Sequence, residues 1–575
     1  MDTLLDINNL SVSFNNGQSN VTAVKSISFQ IYKGEIVCLV GESGSGKSVA
    51  ANSVMRLLDE SKTMITADRM SFMSKSGECL DILQLPKDKL PGLRGQEIGM
   101  IFQEPMTSLN PVIKCGDQVA EGLLIHGLES THSVKDKVLE LFKEVGLDDS
   151  KRIFDSYPHQ LSGGQKQRIM IAMAMACNPS LLIADEPTTA LDVTVQKKIL
   201  EALKELCRNK GMAMLFISHD LNIVKQLADK ILVMYKGEIV EQGSTLEVFN
   251  HPKHPYTKGL LSCRPPLKTK LRILPTLSDF IGNTEAEKPY ATRLSDNNII
   301  TRQEHESAFK SLSSVEPILK IKHVTTSFTQ AGMFFWNKKK VFKAIQDISF
   351  VLYPGEVLGL VGESGSGKST LGRTICRLLD SESGSVTYRN IELANMPENE
   401  FRVFRKNIQI IFQDPYASLN PSMKAGDAIL EPMIVHKLCA NKQERIEKVY
   451  SLLESVGLPA ESFHKYPHEF SGGQRQRISI ARALSLNPEI LICDESVSAL
   501  DVNVQAQVLN LLNELRSKFN LSMIFITHDL SVVRFICDRV MVMKNGRLEE
   551  IGTVEQVMDN PASDYTRLLL ESVPE

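Results

Sequence analysis

The sequence predicts an α/β protein made of two copies of one domain. The segment GESGSGKS at Gly41–Ser48 recurs unchanged at Gly362–Ser369, and YPHQLSGGQKQR at Tyr157–Arg168 recurs as YPHEFSGGQRQR at Tyr466–Arg477. In each copy strand-like and helix-like segments alternate, which is typical of a largely parallel sheet covered by helices. At 575 residues the chain is also too long for one hydrophobic core.

Short apolar segments predict the buried strands of this sheet. EIVCLV (Glu35–Val40) precedes the first glycine-rich loop and EVLGLV (Glu356–Val361) precedes the second, while LLIAD (Leu181–Asp185) and AMLFISH (Ala213–His219) add two strands to the first copy. Helical patterns follow the two loops, as SVAANSVMRLL and STLGRTICRLL. Strand, loop and helix therefore follow one another in the same order in both copies.

Amphipathic segments predict an inserted helical subdomain in each copy. Apolar residues recur at helical spacing from Val134 to Val145, and Gly146 ends the pattern. In the second copy the same pattern runs from Ile446 to Val456, before Gly457.

The spacing of the repeat defines the domains. Ser162 and Ser471 are 309 residues apart, whereas Gly41 and Gly362 are 321 residues apart, so the first copy has a longer segment after its loop. The matched part of the first copy ends near Leu261, and the next 54 residues, Ser262 to Val315, have no counterpart. The expected organisation is a first domain at 1–261, a linker with a short extension at 262–315, and a second domain at 316–575.

Composition excludes several classes of protein. The net charge is −3 and no basic stripe is visible, so no nucleic-acid partner is expected. The ten cysteines form no CxxC pair, so neither zinc nor an iron–sulfur cluster is expected. No apolar run approaches the roughly 18 residues of a membrane span, and the N-terminus MDTLLDINNL does not look like a secretory signal. The chain is expected in the cytosol, where it can still dock onto a membrane protein.

GxxxxGKS between a strand and a helix is typical of a phosphate-binding loop. Its glycines allow backbone N–H groups to turn inward around phosphates. Lys47 and Lys368 are expected to reach the β- and γ-phosphates, and Ser48 and Ser369 to ligate Mg²⁺.

An Asp-Glu pair ends a buried strand in each copy. These pairs are Asp185-Glu186 and Asp494-Glu495. The carboxyl ends of parallel strands are where α/β sheets bind ligands. We expect the aspartates to hold Mg²⁺ and the glutamates to polarise the attacking water.

His219 and His528 follow a buried apolar run at the same distance from these acids. A lone histidine near a core is usually structural, and that is the alternative here. The repetition favours a contact with the γ-phosphate and the water.

LSGGQ, together with the phosphate loop, the Asp-Glu pair and the histidine, resembles the ATP-binding-cassette family over most of the chain. The resemblance implies two P-loop NTPase domains, each with a mostly parallel sheet, an antiparallel β part and a helical subdomain. It also implies ATP hydrolysis with ATP and Mg²⁺. In this family each ATP lies between the phosphate-binding loop of one domain and the LSGGQ segment of the other, which is called the signature segment.

Carried over to this sequence, the family implies the following contacts. Ser471, Gly472, Gly473 and Gln474 would close over the ATP held by Lys47, and Ser162, Gly163, Gly164 and Gln165 over the ATP held by Lys368. The loop contacts would come from Gly41, Ser43, Gly44, Gly46, Gly362, Ser364, Gly365, Gly367 and Thr370. Gln103 and Gln413 would contact ATP and Mg²⁺. Phe14 and Phe328 would stack on adenine, with a core phenylalanine as the alternative.

Finer motifs resemble the peptide and nickel importers of bacteria. They are FQEPMTSLNP (Phe102–Pro111), FQDPYASLNP (Phe412–Pro421) and HPKHPYTKGLL (His251–Leu261). Fused members of that group energise uptake of glutathione or antimicrobial peptides. The resemblance implies two transmembrane permeases, an extracytoplasmic solute-binding protein and a peripheral position on the cytoplasmic face of the bacterial inner membrane.

Departures from the family pattern are small. The extension holds only Cys263, where many relatives have the cysteine cluster of an iron–sulfur centre. Ser496 stands where the first copy has Pro187, and the catalytic groups are retained, so two competent sites are expected. A ribosome- or DNA-associated tandem ATPase and an exporter ATPase stay as alternatives. The role of the insert Gly332–Lys340, which contains Trp336, stays open.

Overall fold

The computed structural model describes residues 2–15, 20–102, 108–188, 193–281, 298–330, 340–498 and 500–571. The chain divides into two compact units, Met1–Leu261 and Ser262–Val573. Gln103 and Trp336 lie outside the described residues, as does all of the insert Gly332–Lys340 except Lys340.

In the described part of the first unit, a six-stranded sheet forms the centre. Its strands lie in the order Glu238–Ser244, Lys230–Tyr235, Ile36–Val40, Ala213–Ser218, Leu181–Asp185 and Ile98–Ile101. The edge strand Glu238–Ser244 is antiparallel to its neighbour, and the other pairs are parallel. The three central strands are buried along their whole length, which accounts for their uninterrupted apolar sequences.

A second, antiparallel sheet covers the first helix of the unit. Its strands are Thr3–Asn15, Asn20–Tyr32, Thr63–Thr66, Arg69–Met73 and Cys79–Asp81. Leu5 and Ile27 of this sheet share one hydrophobic core with Ala51 of the helix and with Leu39 and Ile183 of the central sheet. The phosphate loop therefore leads into a helix that is held between two sheets.

The helices of the first unit fall into two groups. Those around the sheets are Lys47–Val54, Leu90–Leu93, Val193–Lys210, Leu221–Leu227, Thr245–Asn250 and Pro255–Ser262. Those of the helical subdomain are Cys115–Ile125, Val134–Glu144, Ser150–Phe154 and Gly163–Met175. Val138, Leu141 and Phe142 are buried as the amphipathic pattern predicts, and Gly146 has the positive φ of 75° that ends this segment.

The second unit repeats the architecture. Its central sheet has the strands Ile408–Ile411, Ile490–Asp494, Ser522–Ile526, Val357–Val361, Arg539–Lys544 and Arg547–Thr553 in that order, and its antiparallel sheet has Lys340–Leu352, Leu319–Gln330, Ser383–Tyr388 and Ile391–Glu392. Apart from the helix Arg302–Ser313 of the extension, its described helices are Lys368–Ile375, Glu398–Phe404, Pro415–Ser418, Ala425–Val435, Lys442–Ser455, Gly472–Leu484, Val502–Phe519, Leu530–Ile536, Val554–Asp559 and Asp564–Glu571.

The helices after the two phosphate loops are shorter than their sequences predict. The patterns continue to Leu58 and Leu379, but the helices end at Val54 and Ile375. Arg56 and Arg377 adopt positive φ values of 48° and 51°. The N–H groups of Leu57 and Leu378 then donate to the carbonyls of Asn52 and Arg373, which closes each helix in a Schellman motif. Apolar periodicity alone did not reveal this left-handed stop.

The extension packs within the second unit. Lys270–Leu271 pairs with Ile299–Ile300, and the helix Arg302–Ser313 follows. Asn510 holds the backbone of Leu274 through two hydrogen bonds of 2.9 Å, one to its N–H and one to its carbonyl oxygen.

None of the helices in the described ranges is long and apolar enough to cross a bilayer.

Candidate nucleotide-binding sites

The first glycine-rich loop links the strand Ile36–Val40 to the helix Lys47–Val54 in a shape that only glycine permits. Gly41 has a φ of 155°, and a Cβ there would lie 2.2 Å from the carbonyl oxygen of Met234. Gly46 has a φ of 104°, and a Cβ there would lie 2.5 Å from the carbonyl oxygen of Ala23. The loop is therefore packed directly against neighbouring backbone.

The second loop has the same shape. A Cβ on Gly362 would lie 2.2 Å from the carbonyl oxygen of Met543, and a Cβ on Gly367 would lie 2.5 Å from that of Ala344. Ser43, Gly44, Ser364 and Gly365 are exposed at the tips of the two loops.

Each loop encloses its lysine. The Nζ of Lys47 donates to the carbonyl oxygens of Gly41 and Glu42, both at 2.8 Å. The Nζ of Lys368 donates to Gly362 and Glu363, also at 2.8 Å. Each side chain is 5% exposed, so a buried ammonium is held where phosphate oxygens would enter the loop.

A serine and an aspartate meet beside each lysine. The hydroxyl of Ser48 donates to Oδ1 of Asp185 at 3.1 Å, and that of Ser369 donates to Oδ1 of Asp494 at 2.6 Å. Burial raises the pKa of Asp185 and Asp494 above the usual value of an aspartate.

These oxygen ligands fit Mg²⁺, which prefers carboxylate, hydroxyl, phosphate and water oxygens. Within the described ranges no group of three or more His, Cys, Asp or Glu side chains could hold a metal ion alone. A magnesium ion here would therefore take its other ligands from phosphate and water.

The glutamate after each aspartate has an unusual backbone. Glu186 and Glu495 both have a φ of 47°, in the left-handed region that large side chains rarely adopt. Their N–H groups donate to the carbonyls of Ile217 and Ile526, both at 3.0 Å. The same strained conformation in both halves points to a functional demand on the direction of the side chain.

The histidines reach these glutamates. His219 Nδ1 lies 3.2 Å from Oε1 of Glu186, and His528 Nδ1 lies 3.7 Å from Oε1 of Glu495. The strands end at Ser218 and Ile526, so the histidines lie just beyond them rather than in them. In the second half Gln413 Nε2 also donates to Oε2 of Glu495 at 2.7 Å.

In the second half, Glu495 and His528 each stabilise the charged form of the other. Burial would raise the pKa of Glu495, but the contact with His528 outweighs it and lowers that pKa. Burial would lower the pKa of His528, but Glu495 and Asp529 outweigh it and raise that pKa. The arrangement favours an ionised glutamate, which is the form that can accept a proton from water.

The signature segments begin helices. Ser162 caps the helix Gly163–Met175: its Oγ accepts from the N–H of Gln165 at 3.3 Å, and its own N–H donates to Oε1 of Gln165 at 3.1 Å. Ser471 and Gln474 form the same capping box at 3.4 Å and 3.0 Å. The exposed serines and the first N–H groups of the helix are suited to bind an anion.

The signature glycines have a packing role as well. A Cβ on Gly473 would lie 2.2 Å from Cγ1 of Val504, and one on Gly164 would lie 3.0 Å from Cγ1 of Val195. The sequence pointed to these residues only through the family resemblance, and the capping role of the glutamines was missed.

The two candidate adenine platforms differ. Phe14 is partly buried and packs against the core of the first unit, as the core alternative expects. Phe328 is 42% exposed, and it lies opposite Phe342, which is 62% exposed. Thr370, in the first turn of the helix Lys368–Ile375, is partly buried, and its carbonyl accepts from Thr374 Oγ1 at 2.8 Å.

Comparison with known proteins places the chain in a family. The model of the ABC transporter family matches residues 24–189 and 345–498, and the model described as "oligopeptide/dipeptide transporter, C-terminal region" matches residues 240–294 and 550–575. The glutathione import ATP-binding protein GsiA of Shigella boydii serotype 4 is 42% identical over 571 residues, which are 99% of this chain and 89% of that protein. GsiA of Escherichia coli (strain K12) matches to the same extent.

A solved structure is also similar to part of the chain. It is a dimeric ATP-binding cassette in a post-hydrolysis state bound to ADP and Pi, and it matches 41% of this chain and 98% of its own at 28% identity, with a TM-score of 0.37. The repeated sites and the full-length match to import ATP-binding proteins lead to one conclusion: the chain belongs to the ABC transporter family and is an ATP-hydrolysing subunit with one nucleotide-binding domain in each half.

Proposed function

We propose that this chain energises the import of glutathione or a short peptide across a bacterial inner membrane, with MgATP hydrolysed in both halves. The observation that carries the proposal is the paired preservation of the site: lysine, serine, aspartate, glutamate and histidine make the same contacts in each unit. The cargo class is supported by the C-terminal-region match in both halves and by the relatives, which are glutathione import ATP-binding proteins.

The proposed chemistry begins with the phosphate loops. Lys47 and Lys368 would leave their loop carbonyls and hold the β- and γ-phosphates of ATP. Mg²⁺, held by Ser48 with Asp185 and by Ser369 with Asp494, would neutralise charge on the phosphate oxygens.

The glutamates would then orient and deprotonate water. Glu186 and Glu495 act as the general bases, and His219 and His528 hold their carboxylates and contact the γ-phosphate. Gln413 also holds Glu495, and Gln103 and Gln413 are proposed to contact ATP and Mg²⁺, as the family resemblance implies. Each signature segment, at Ser162–Gln165 and Ser471–Gln474, is proposed to close over the nucleotide held by the loop of the other half.

The proposed partners are two transmembrane permeases and an extracytoplasmic solute-binding protein, with the chain bound peripherally at the cytoplasmic face. Exposed apolar side chains in and before the helices Cys115–Ile125 and Ala425–Val435 support a protein-docking surface there. They are Val112, Ile113 and Ile125 in the first half and Tyr416, Ile434 and Val435 in the second.

Co-purification from the native membrane tests this function. The tagged chain is captured in mild detergent, and its companions are identified by mass spectrometry. We expect two polytopic permeases, and ATPase activity that rises when glutathione-loaded or peptide-loaded binding protein is added to the reconstituted complex. Ribosomes or DNA-repair proteins without a permease would contradict the importer and leave only the ATPase.

A further inference from the structure

A buried tyrosine touches each phosphate loop. The N–H of Glu42 donates to the hydroxyl oxygen of Tyr256 at 2.9 Å, and the N–H of Glu363 donates to that of Tyr565 at 3.3 Å. Tyr256 is 0% exposed and Tyr565 is 8% exposed. Both tyrosines lie in the segments matched by the model of the C-terminal region of oligopeptide transporters. Tyr256 is 214 residues from Glu42 along the chain, and Tyr565 is 202 residues from Glu363.

Tyrosine and lysine hold the same peptide group in each loop. The carbonyl of Gly41 and the N–H of Glu42 belong to one planar peptide unit. Lys47 Nζ binds its oxygen at 2.8 Å, and Tyr256 accepts from its N–H at 2.9 Å. The peptide between Gly362 and Glu363 is held in the same way by Lys368 and Tyr565.

The tyrosine rings are themselves firmly supported. The ring of Tyr256 stacks on Tyr235 with a centroid distance of 4.3 Å. At the matching position of the second half, Lys544 places its Nζ 4.5 Å from the centroid of Tyr565. The tyrosine thus occupies the same place in both halves although a different side chain supports it in each. This indicates that the position of the tyrosine matters more than the identity of its neighbour.

The turn before each tyrosine is fixed by a carboxylate. Glu241 accepts from the N–H groups of Lys253 and His254 at 2.8 Å and 3.0 Å. Glu550 accepts from those of Ala562 and Ser563 at 2.9 Å and 3.1 Å. The tyrosine hydroxyl is thus presented to the loop by a structured segment, which is what a positioning group requires.

We propose that Tyr256 and Tyr565 are positioning residues that preorganise the two phosphate loops for nucleotide. When the lysine moves from the loop carbonyls to the phosphates, the peptide group loses the support of the lysine. The tyrosine keeps that group in place, so the loop does not have to reorganise as ATP enters. The inference rests on the proposed role of the two loops in holding ATP phosphates, and it assigns the C-terminal region a part in nucleotide affinity.

The test compares three full-length chains: wild type, Y256F/Y565F and the control Y235F. The double variant keeps both rings and removes only the hydroxyls that face the loops, whereas Y235F removes a hydroxyl from the neighbouring ring. Titration calorimetry measures the affinity for MgADP, steady-state kinetics measures KM and kcat for ATP, and thermal melting without nucleotide measures stability.

We expect the double variant to bind MgADP about two- to tenfold more weakly, the size of one hydrogen bond. KM for ATP rises by the same factor, while kcat changes by less than about twofold. Y235F stays at wild-type values. Hydrogen exchange of a peptide covering Gly41–Lys47 becomes faster without nucleotide, because the Glu42 N–H has lost its acceptor.

Unchanged MgADP affinity and KM in a folded double variant would overturn the inference, as would a loss confined to kcat. If the double variant does not fold, Y256F and Y565F are measured singly by the same criteria. Failure of the wild-type chain to bind MgADP would instead contradict the proposed role of the loops, so the two failures are distinguishable.

Discussion

The hydroxyl of Ser369 donates to Oδ1 of Asp494 at 2.6 Å, although the two residues are 125 positions apart. This bond joins the start of the helix after the second phosphate loop to the end of the strand Ile490–Asp494. The corresponding bond between Ser48 and Asp185 is 3.1 Å long. Both link two oxygen ligands that we propose for the same magnesium ion.

Removing these hydroxyls is expected to weaken the binding of the Mg²⁺ that ATP hydrolysis requires. In S48A/S369A, the Mg²⁺ concentration for half-maximal ATPase activity should rise about tenfold, since one hard oxygen ligand is lost from each site. The variant S48T/S369T keeps the hydroxyls and should resemble wild type. Equal magnesium dependence in the alanine and threonine variants would remove these serines from the proposed metal site.

The carboxylates of Glu186 and Glu495 are expected to be needed for turnover but not for binding. E186Q/E495Q should lose at least about 100-fold in kcat, the usual contribution of a general base. Its affinity for MgATP, measured by equilibrium binding, should stay within a few-fold of wild type. E514Q, a change on an exposed helix face, is the control and should keep wild-type turnover. Undiminished turnover in the double glutamine variant would contradict the role of general base that we assign to both residues.

The left-handed backbone at Glu495 gives a test that does not depend on catalysis. Its φ of 47° costs a residue with a Cβ about 1–2 kcal/mol, whereas glycine adopts it freely. E495G and E495A remove the same contacts to His528 and Gln413, so their difference isolates the backbone term. We expect E495G to be more stable than E495A by about 1 kcal/mol in denaturant unfolding. Equal stability of the two variants would mean that this backbone is not strained.

A buried polar cluster attaches the extension to the second unit. His305 is 5% exposed; its Nδ1 lies 2.8 Å from Oε1 of Glu555, its Nε2 lies 3.6 Å from Oδ1 of Asp538, and Lys270 Nζ is 3.3 Å away. Arg516 binds the other oxygen of Asp538 at 2.6 Å. Burial would lower the pKa of His305, but the two carboxylates outweigh it and raise that pKa. Burial would raise the pKa of Asp538, but His305 and Arg516 lower it to about 2.

These shifts predict how the contribution of the cluster changes with pH. The raised pKa of His305 stabilises the fold at pH values below about 6.5, which is the pKa of a histidine in the unfolded chain. This contribution is lost as the pH rises through the pKa of the folded state. The lowered pKa of Asp538 stabilises the fold at pH values above about 3.9, which is the pKa of an aspartate in the unfolded chain. This contribution is lost as the pH falls through the pKa of the folded state. The cluster should therefore contribute most between about pH 4.5 and pH 6.5.

Replacing His305 tests this window. H305Q should lower the free energy of unfolding by about 1.5–3 kcal/mol at pH 6, and by less at pH 8. H323Q is the matched control, because His323 contacts Asp347 at 2.6 Å but is 78% exposed, so its change should be small at both values. A loss for H305Q that is larger at pH 8 than at pH 6 would reverse the sign and contradict the assignment.

Local sequence patterns predicted most of the site because its parts are short and repeated. The loop Gly41–Ser48 and the pair Asp185-Glu186 each lie within ten consecutive residues, and their glycine, lysine and carboxyl chemistry is readable without a fold. The helix ends at Val54 and Ile375 were not predicted. Each is a Schellman motif with arginine at the left-handed position, where glycine would usually signal the end of a helix. The strain at Glu186 and Glu495 was missed for the same reason: φ at one residue depends on the packing around it.

The sequence by itself determined the duplication, the strand–loop–helix order and the family, because these follow from spacing and periodicity along the chain. Only the tertiary structure decided which distant segments meet. Tyr256 reaches Glu42, Asn510 holds Leu274, and His305 lies between Asp538 and Glu555. Such partners are chosen by the order of strands in the sheet and by the need to pair buried polar groups, and no local pattern encodes either.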